Sequence, residues 1–289
     1  YSIPQGASAF WINDYFGGEP DTWGALTSSE SDAFRLALAA WSEVANIQFT
    51  EVPDEQTYGE IRIAYSQAVS DDPDAAGWAY IPGSPAESGD IWLDRNSGGT
   101  YLPGSFGFVT FLHEIGHAIG VGHPFDANEE NGAILNGAEN STQYTLMSYT
   151  DYEGAGFTFT STGSHSYSWI PVQAVGPLLY DIQAIQYLYG ANNETRSGDD
   201  NYTFSNDTGE IRAIWDAGGN DSFDLSNQTL SVEVNLQAGE FSSIGVKETW
   251  NNGIVLSRAA DNIAIAFGAI IENAIGGSGD DTITGNAYD

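Results

Sequence analysis

The 289-residue sequence has no cysteine, 1 methionine and 4 histidines, and only 7 lysines and arginines stand against 40 aspartates and glutamates. Without cysteine there is no disulfide framework and no thiolate metal site. A formal net charge of −33 repels the phosphates of nucleic acid and of anionic lipid, which sets both aside as partners. No apolar run of about 18 residues occurs, so no membrane-spanning helix is expected. The opening Tyr1-Ser2-Ile3-Pro4 has no basic-then-apolar leader and reads as a mature or trimmed start.

What is present describes a folded protein. With 41% hydrophobic and 13% aromatic residues the composition is globular, and 34 glycines with 10 prolines favour turns and a β-rich portion. Carboxylates at this density oppose compaction unless cations bind them. An acidic surface suited to salty water and acidic groups committed to calcium both follow. In a secreted chain lacking disulfides, hard cations are the natural means of holding structure together.

Local patterns divide the chain in two. Thr27-Ser28-Ser29-Glu30 fits a helix capping box, and Phe34, Leu38, Trp41 and Ala45 continue one apolar stripe within 27–50. Strands are expected at Asn46–Val52, Ile61–Tyr65 and Gly89–Leu93, and a proline-closed edge at Gly77–Gly83. Further helices are expected over 105–120 and 176–189, with a loop over 122–163. After Gly190 short β-favouring runs alternate with Gly/Asn/Asp turns. The expected fold class is α+β: 1–190 is a mixed twisted sheet with long helices, and 191–289 is all-β.

Three of the 4 histidines lie within Phe111–His123, "FLHEIGHAIGVGH". Residues four apart on a helix share a face, so His113 and His117 can aim at one ion, with Glu114 beside them. Gly120 can adopt positive φ, end the helix and swing His123 to the same point. Three imidazoles and an open position describe a catalytic zinc site rather than a closed structural one. Five specified residues at this spacing arise by chance in roughly 1 in 10⁴ chains of this size. His165 and the acidic run after Asp126 read as solvated loop residues.

The pattern His113-Glu114-x-x-His117-x-x-Gly120-x-x-His123 resembles the metzincin zinc proteases. Met147, the sole methionine, fits the methionine turn of that family, and Pro124 with Met147-Ser148-Tyr149 resembles its serralysin branch. The resemblance implies a zinc-dependent endopeptidase with Glu114 as general base. It implies Tyr149 as a resting-state zinc ligand that then stabilises the transition state. The edge Gly77, Trp78, Ala79 and Tyr80 is assigned to extended peptide or protein substrates, which add a strand there.

The same resemblance covers the second part, which is similar to a calcium-binding parallel β-roll. Gly276–Thr284 matches the nonapeptide Gly-Gly-x-Gly-x-Asp-x-U-x. It implies calcium ligation by Arg196, Gly198, Asp200, Asp216, Gly218, Gly219, Asp221, Glu272 and Asp281. One complete nonapeptide is present where the family stacks several, so the roll is expected to be shortened and Asp289 is not expected to be the encoded end. The whole reads as a secreted, monomeric endopeptidase with one catalytic zinc and several structural calcium ions. The competing class is a non-catalytic, calcium-dependent adhesion module. A complete histidine triad with a water-activating glutamate argues against it.

Overall fold

The computed structural model describes residues 1–6, 15, 17–53, 58–96, 99–127, 134–155, 157–163, 166–206, 209–249 and 255–288. They form two compact units, Tyr1–Ser42 with Ile47–Ile134, and Glu43–Asn46 with Leu135–Asp289. No described helix is long and apolar enough to cross a membrane.

Helix α1 (Ser28–Val44) starts as its sequence dictates. Thr27 N donates to Glu30 Oε2 at 2.7 Å and Glu30 N to Thr27 Oγ1 at 3.3 Å, closing the capping box. Its stripe, Phe34, Leu38, Trp41 and Ala45, is fully buried. The expected strand at Asn46–Val52 does not form, although its side chains alternate. Its described backbone is extended but joins no ladder; Val52 N donates to Tyr1 O at 2.8 Å instead. Alternation marks a half-buried extended segment, and a strand also needs a partner along its length.

A four-stranded sheet carries the first unit: β1 (Trp23–Gly24), β2 (Ile63–Ser66), β3 (Gly77–Ala79) and β4 (Ile91–Asp94), in the order β1-β2-β4-β3. The β2–β4 pair is parallel and the outer pairs antiparallel, leaving β3 at an edge. A short α2 (Gln67–Ser70) follows β2, capped by Ser66 Oγ. Beneath the sheet ends lies a buried ion pair: Arg62 donates through Nε and Nη2 to both oxygens of Asp90, at 2.6 and 2.7 Å. Helix α3 (Phe106–Ala118) is capped by Ser105, whose Oγ accepts from Phe108 N.

In the second unit, β5 (Phe157–Gly163) and β6 (Ser166–Pro171) form a hairpin. The expected loop over 122–163 therefore ends in a strand, because Phe157-Thr158-Phe159-Thr160 alternates within a Ser/Thr/Gly-rich composition that reads as loop. His165 lies outside the described residues, as do 128–133 of the acidic run. Helix α4 (Leu179–Tyr189) ends at Gly190, which has φ 83°.

Among the described residues ten short strands follow. They are β7 (Asn201–Tyr202), β8 (Arg212–Ile214), β9 (Ser222–Asp224), β10 (Glu233–Asn235) and β11 (Phe241–Ser242). The rest are β12 (Val246–Thr249), β13 (Val255–Arg258), β14 (Ile263–Ile265), β15 (Asn273–Ile275) and β16 (Thr282–Thr284). The pairs β7–β9, β9–β15, β8–β14 and β10–β16 are parallel, as a coiled stack requires. Two antiparallel pairs, β11–β14 and β12–β13, interrupt it. Phe223, Leu225, Ile214, Ile265 and Ile271 fill the interior.

Candidate metal centre

Helix α3 presents His113 and His117 one turn apart, and its C-terminus is shaped to return His123. Gly120 takes φ 99°, a conformation a side chain rarely adopts, and Val121 N closes back on Gly116 O at 2.8 Å. The helix is held from behind by Trp41, whose Nε1 donates to Leu112 O at 3.1 Å, and by Phe111 between Phe34 and Tyr101.

The three Nε2 atoms converge, with separations of 3.2 Å (113–117), 3.1 Å (117–123) and 3.3 Å (113–123). Tetrahedral coordination at a Zn–N distance of about 2.0–2.1 Å spaces nitrogens by about 3.3–3.4 Å, so the cluster fits zinc. Mutual hydrogen bonding cannot satisfy three such atoms, whereas one cation can. His117 Nδ1 lies 2.9 Å from Val121 O. Donation there leaves the Nε2 lone pair free for a metal and fixes the ring. Burial, then the neighbouring His113 and His123, pushes His117 down to about 3, so it is neutral across the physiological range. His123 stacks on Phe125 at 5.0 Å, a contact not anticipated from sequence.

Glu114 is 4% exposed, and burial pushes its carboxyl up to about 8. Its Oε2 is buried without a hydrogen-bond partner among the described residues. Strand β3 runs close by: a methyl added at Gly77 would stand 3.2 Å from Glu114 Oε1 and 3.0 Å from Trp92 O. Met147 is fully buried and Tyr149 is 70% exposed; both belong to the second unit.

Of the proposed calcium ligands, Asp200, Asp216 and Asp221 gather with one oxygen each within 4.8 Å of one another. Glu272 joins them, its Oε2 accepting from Asp221 N at 2.7 Å. Asp221 is fully buried and its Oδ2 has no hydrogen-bond partner among the described residues. Burial, then the carboxylates of Asp216 and Glu272, raises it to about 6 against the hydrogen bond from Asp200 N. Gly218 and Gly219 take φ 130° and 158°, and Gly218 N donates to Asp216 Oδ1 at 2.8 Å. A Cβ at Gly219 would collide with Gly198 O. Arg196, at φ 49°, sends its guanidinium to Trp215 O and Glu43. Asp281 is not part of this cluster; its carboxylate accepts from Val232 N and Gly277 N.

Two family models match the chain: Matrixin over residues 20–153, and the serralysin C-terminal region of peptidase M10 over 180–289. These matches and the converging histidines place the first part of the chain among the metzincins, followed by a serralysin C-terminal region. Over most of its length the chain is similar to the serralysin family. It is 37% identical to "Metallopeptidase AprA" of Pseudomonas marginalis over 274 residues, covering 87% of this chain and 53% of that protein. It is 36% identical to "Serralysin" of Proteus mirabilis over 321 residues, covering 100% of this chain and 59% of the relative. "Serralysin B" of Dickeya chrysanthemi is 36% identical over 279 residues, covering 89% of this chain and 53% of its own length. The chain thus spans little more than half the length of these relatives.

Proposed function

We propose that the chain is a secreted zinc endopeptidase acting on extended protein or peptide substrates. The observation that carries this is the convergence of three Nε2 atoms beside a buried glutamate with an unpartnered oxygen. His113, His117 and His123 would hold the zinc, with Tyr149 as a further ligand by family resemblance. Bound there, zinc supplies Lewis acidity and lowers the pKa of a water. Glu114 takes the proton of the attacking water at Oε2 and passes it to the leaving amine. Tyr149 donates a hydrogen bond to the developing oxyanion. By the same resemblance Met147 is assigned to the methionine turn of the family. The substrate lies along β3, pairing with its main chain.

The catalytic part is assigned to 1–190 and the calcium-binding part to 191–289. The change to short parallel strands after Gly190 and the family match over 180–289 support this division. Asp200, Asp216, Asp221 and Glu272 hold one calcium, with carbonyl oxygens from the turns at 196–198 and 218–219. Asp281 belongs to a second turn of the same kind. The acidic, cysteine-free composition supports secretion of a monomer into a medium containing calcium. An adhesion module has no use for an unpartnered buried carboxylate beside three histidines.

Casein digestion with and without phenanthroline tests the reading, together with Glu114→Gln. The variant should keep zinc by elemental analysis and lose roughly 10²–10⁴ in kcat. Activity that survives the chelator, or more than about a tenth of kcat in the variant, overturns it.

A further inference from the structure

Glu19 opens a 3₁₀ turn, Glu19–Thr22, and only 4% of its surface is exposed. Its Oε1 accepts two hydrogen bonds, from Trp78 Nε1 at 3.1 Å and from Tyr80 OH at 2.7 Å. Its Oε2 is buried without a partner among the described residues, and a side chain at Gly17 would collide with it. Among the described residues both of its donors are neutral, and burying a carboxyl group in such a setting costs several kcal/mol, so stability gives little reason for its presence.

Trp78 and Tyr80 are two residues apart and share one face of the β3 extension. That face packs against Trp92, Ala64 and Val69. The opposite face carries Gly77, directly against Glu114. Asp94 N donates to Ala76 O at 3.0 Å and Tyr80 N to Asp90 O at 2.9 Å, so residues 76 and 80 turn their peptide groups to β4. By antiparallel alternation, the peptide groups of Gly77 and Ala79 point out of the sheet's open edge.

We infer that Glu19 is a positioning residue for substrate binding. It clamps the edge strand from the face opposite Glu114, fixing the outward peptide groups at 77 and 79 relative to the base. Two donors on one carboxylate oxygen hold both ends of a three-residue span, and a charged acceptor makes both bonds stronger than a neutral one would. The inference rests on reading β3 as the strand that pairs with substrate.

The test compares a long peptide that extends along β3 with one truncated short of it. Glu19→Ala and the milder Tyr80→Phe should raise KM for the long peptide, about tenfold and about threefold respectively. For Glu19→Ala, kcat should change less than about threefold, and kcat/KM for the short peptide should hold. Glu19→Gln keeps an acceptor oxygen and should restore KM to within about threefold of wild type. Binding of the long peptide to each variant in a Glu114→Gln background should weaken in parallel. A purely structural role would instead lower the melting temperature and the activity on both peptides alike, with KM unmoved; that overturns the inference. Ala79→Pro removes an outward N–H without touching the β4 ladder, and edge strands tolerate proline. It should raise KM for the long peptide. If it does not, the substrate-strand reading fails and takes the inference with it. If Ala79→Pro acts and the Glu19 and Tyr80 variants do not, the inference alone fails.

Discussion

Asp181 and Thr145 are joined by a 2.6 Å hydrogen bond from the threonine hydroxyl to the carboxylate Oδ1. The other oxygen accepts from Leu146 N at 2.8 Å and Leu178 N at 2.9 Å. Thr145 Oγ1 in turn accepts from Met147 N at 3.1 Å. One carboxylate, 1% exposed, thus ties the first turn of α4 to the turn that carries Met147.

Burial raises Asp181 to about 6 from 3.8, against the three hydrogen bonds that lower it. Its folded form holds a proton more tightly than its unfolded form. The stability this gives is present in full below pH 3.8 and is lost as pH rises through about 6. A rise from 3.8 to about 6 corresponds to about 3 kcal/mol. Relative to Asp181→Asn, wild type should lose stability on this scale between pH 4 and 7.5, read from paired urea melts. A difference independent of pH would contradict the assignment.

Tyr149→Phe removes a hydroxyl and leaves the ring. Zinc should stay, because three histidines remain, and kcat should fall more than KM rises. Steady-state kinetics with metal analysis decide this. Unchanged kcat would remove Tyr149 from the mechanism, and loss of zinc would make it chiefly a ligand.

Much of the metal centre could be read from sequence because helical spacing fixes it: His113, Glu114 and His117 share a turn, and Gly120 marks where the helix must end. The capping box at Thr27 and the edge strand at Gly77 were legible for the same reason, being local. Contacts between distant segments were not. Asp181 reaching Leu146, Glu19 reaching Tyr80 and Phe125 stacking on His123 have no periodic signature. Asp181 left a faint one, an acid in the first turn of a helix that lacks a Ser or Thr cap. Asn46–Val52 failed in the other sense, since alternation promised a strand that no ladder completes.

The Arg62–Asp90 pair is 2% and 1% exposed, and Arg62 Nη2 also donates to Ala86 O at 2.6 Å. Asp90→Ala strands a buried guanidinium and should cost about 3–5 kcal/mol of unfolding free energy in urea melts. Replacing both partners by Met and Leu should cost much less. Equal losses for the single and double variants would show that packing, not charge pairing, sets the value.

Asp200, Asp216, Asp221 and Glu272 repel one another without a cation. The melting transition of the second unit should therefore fall in EGTA relative to millimolar calcium. One ion at a thousand times its dissociation constant contributes about 4 kcal/mol, or roughly 8 °C or more for a unit of this size. Coincident melts in the two buffers would refute calcium ligation there.

Strand β9 takes its partners from both directions along the chain: Ser222 sits opposite Asn201 and opposite Asn273. The first pairing closes a loop of 222 − 201 = 21 residues and the second one of 273 − 222 = 51. Chain entropy makes the longer closure costlier by roughly 0.8 kcal/mol and slower to find. Each coil is thus finished by a segment that leaves the ribosome well after the coil began. The Asp221 amide waits for the same late segment, since its acceptor is Glu272. The acidic cluster therefore cannot close until both Asp200 and Glu272, 72 residues apart in the chain, are in place around Asp221.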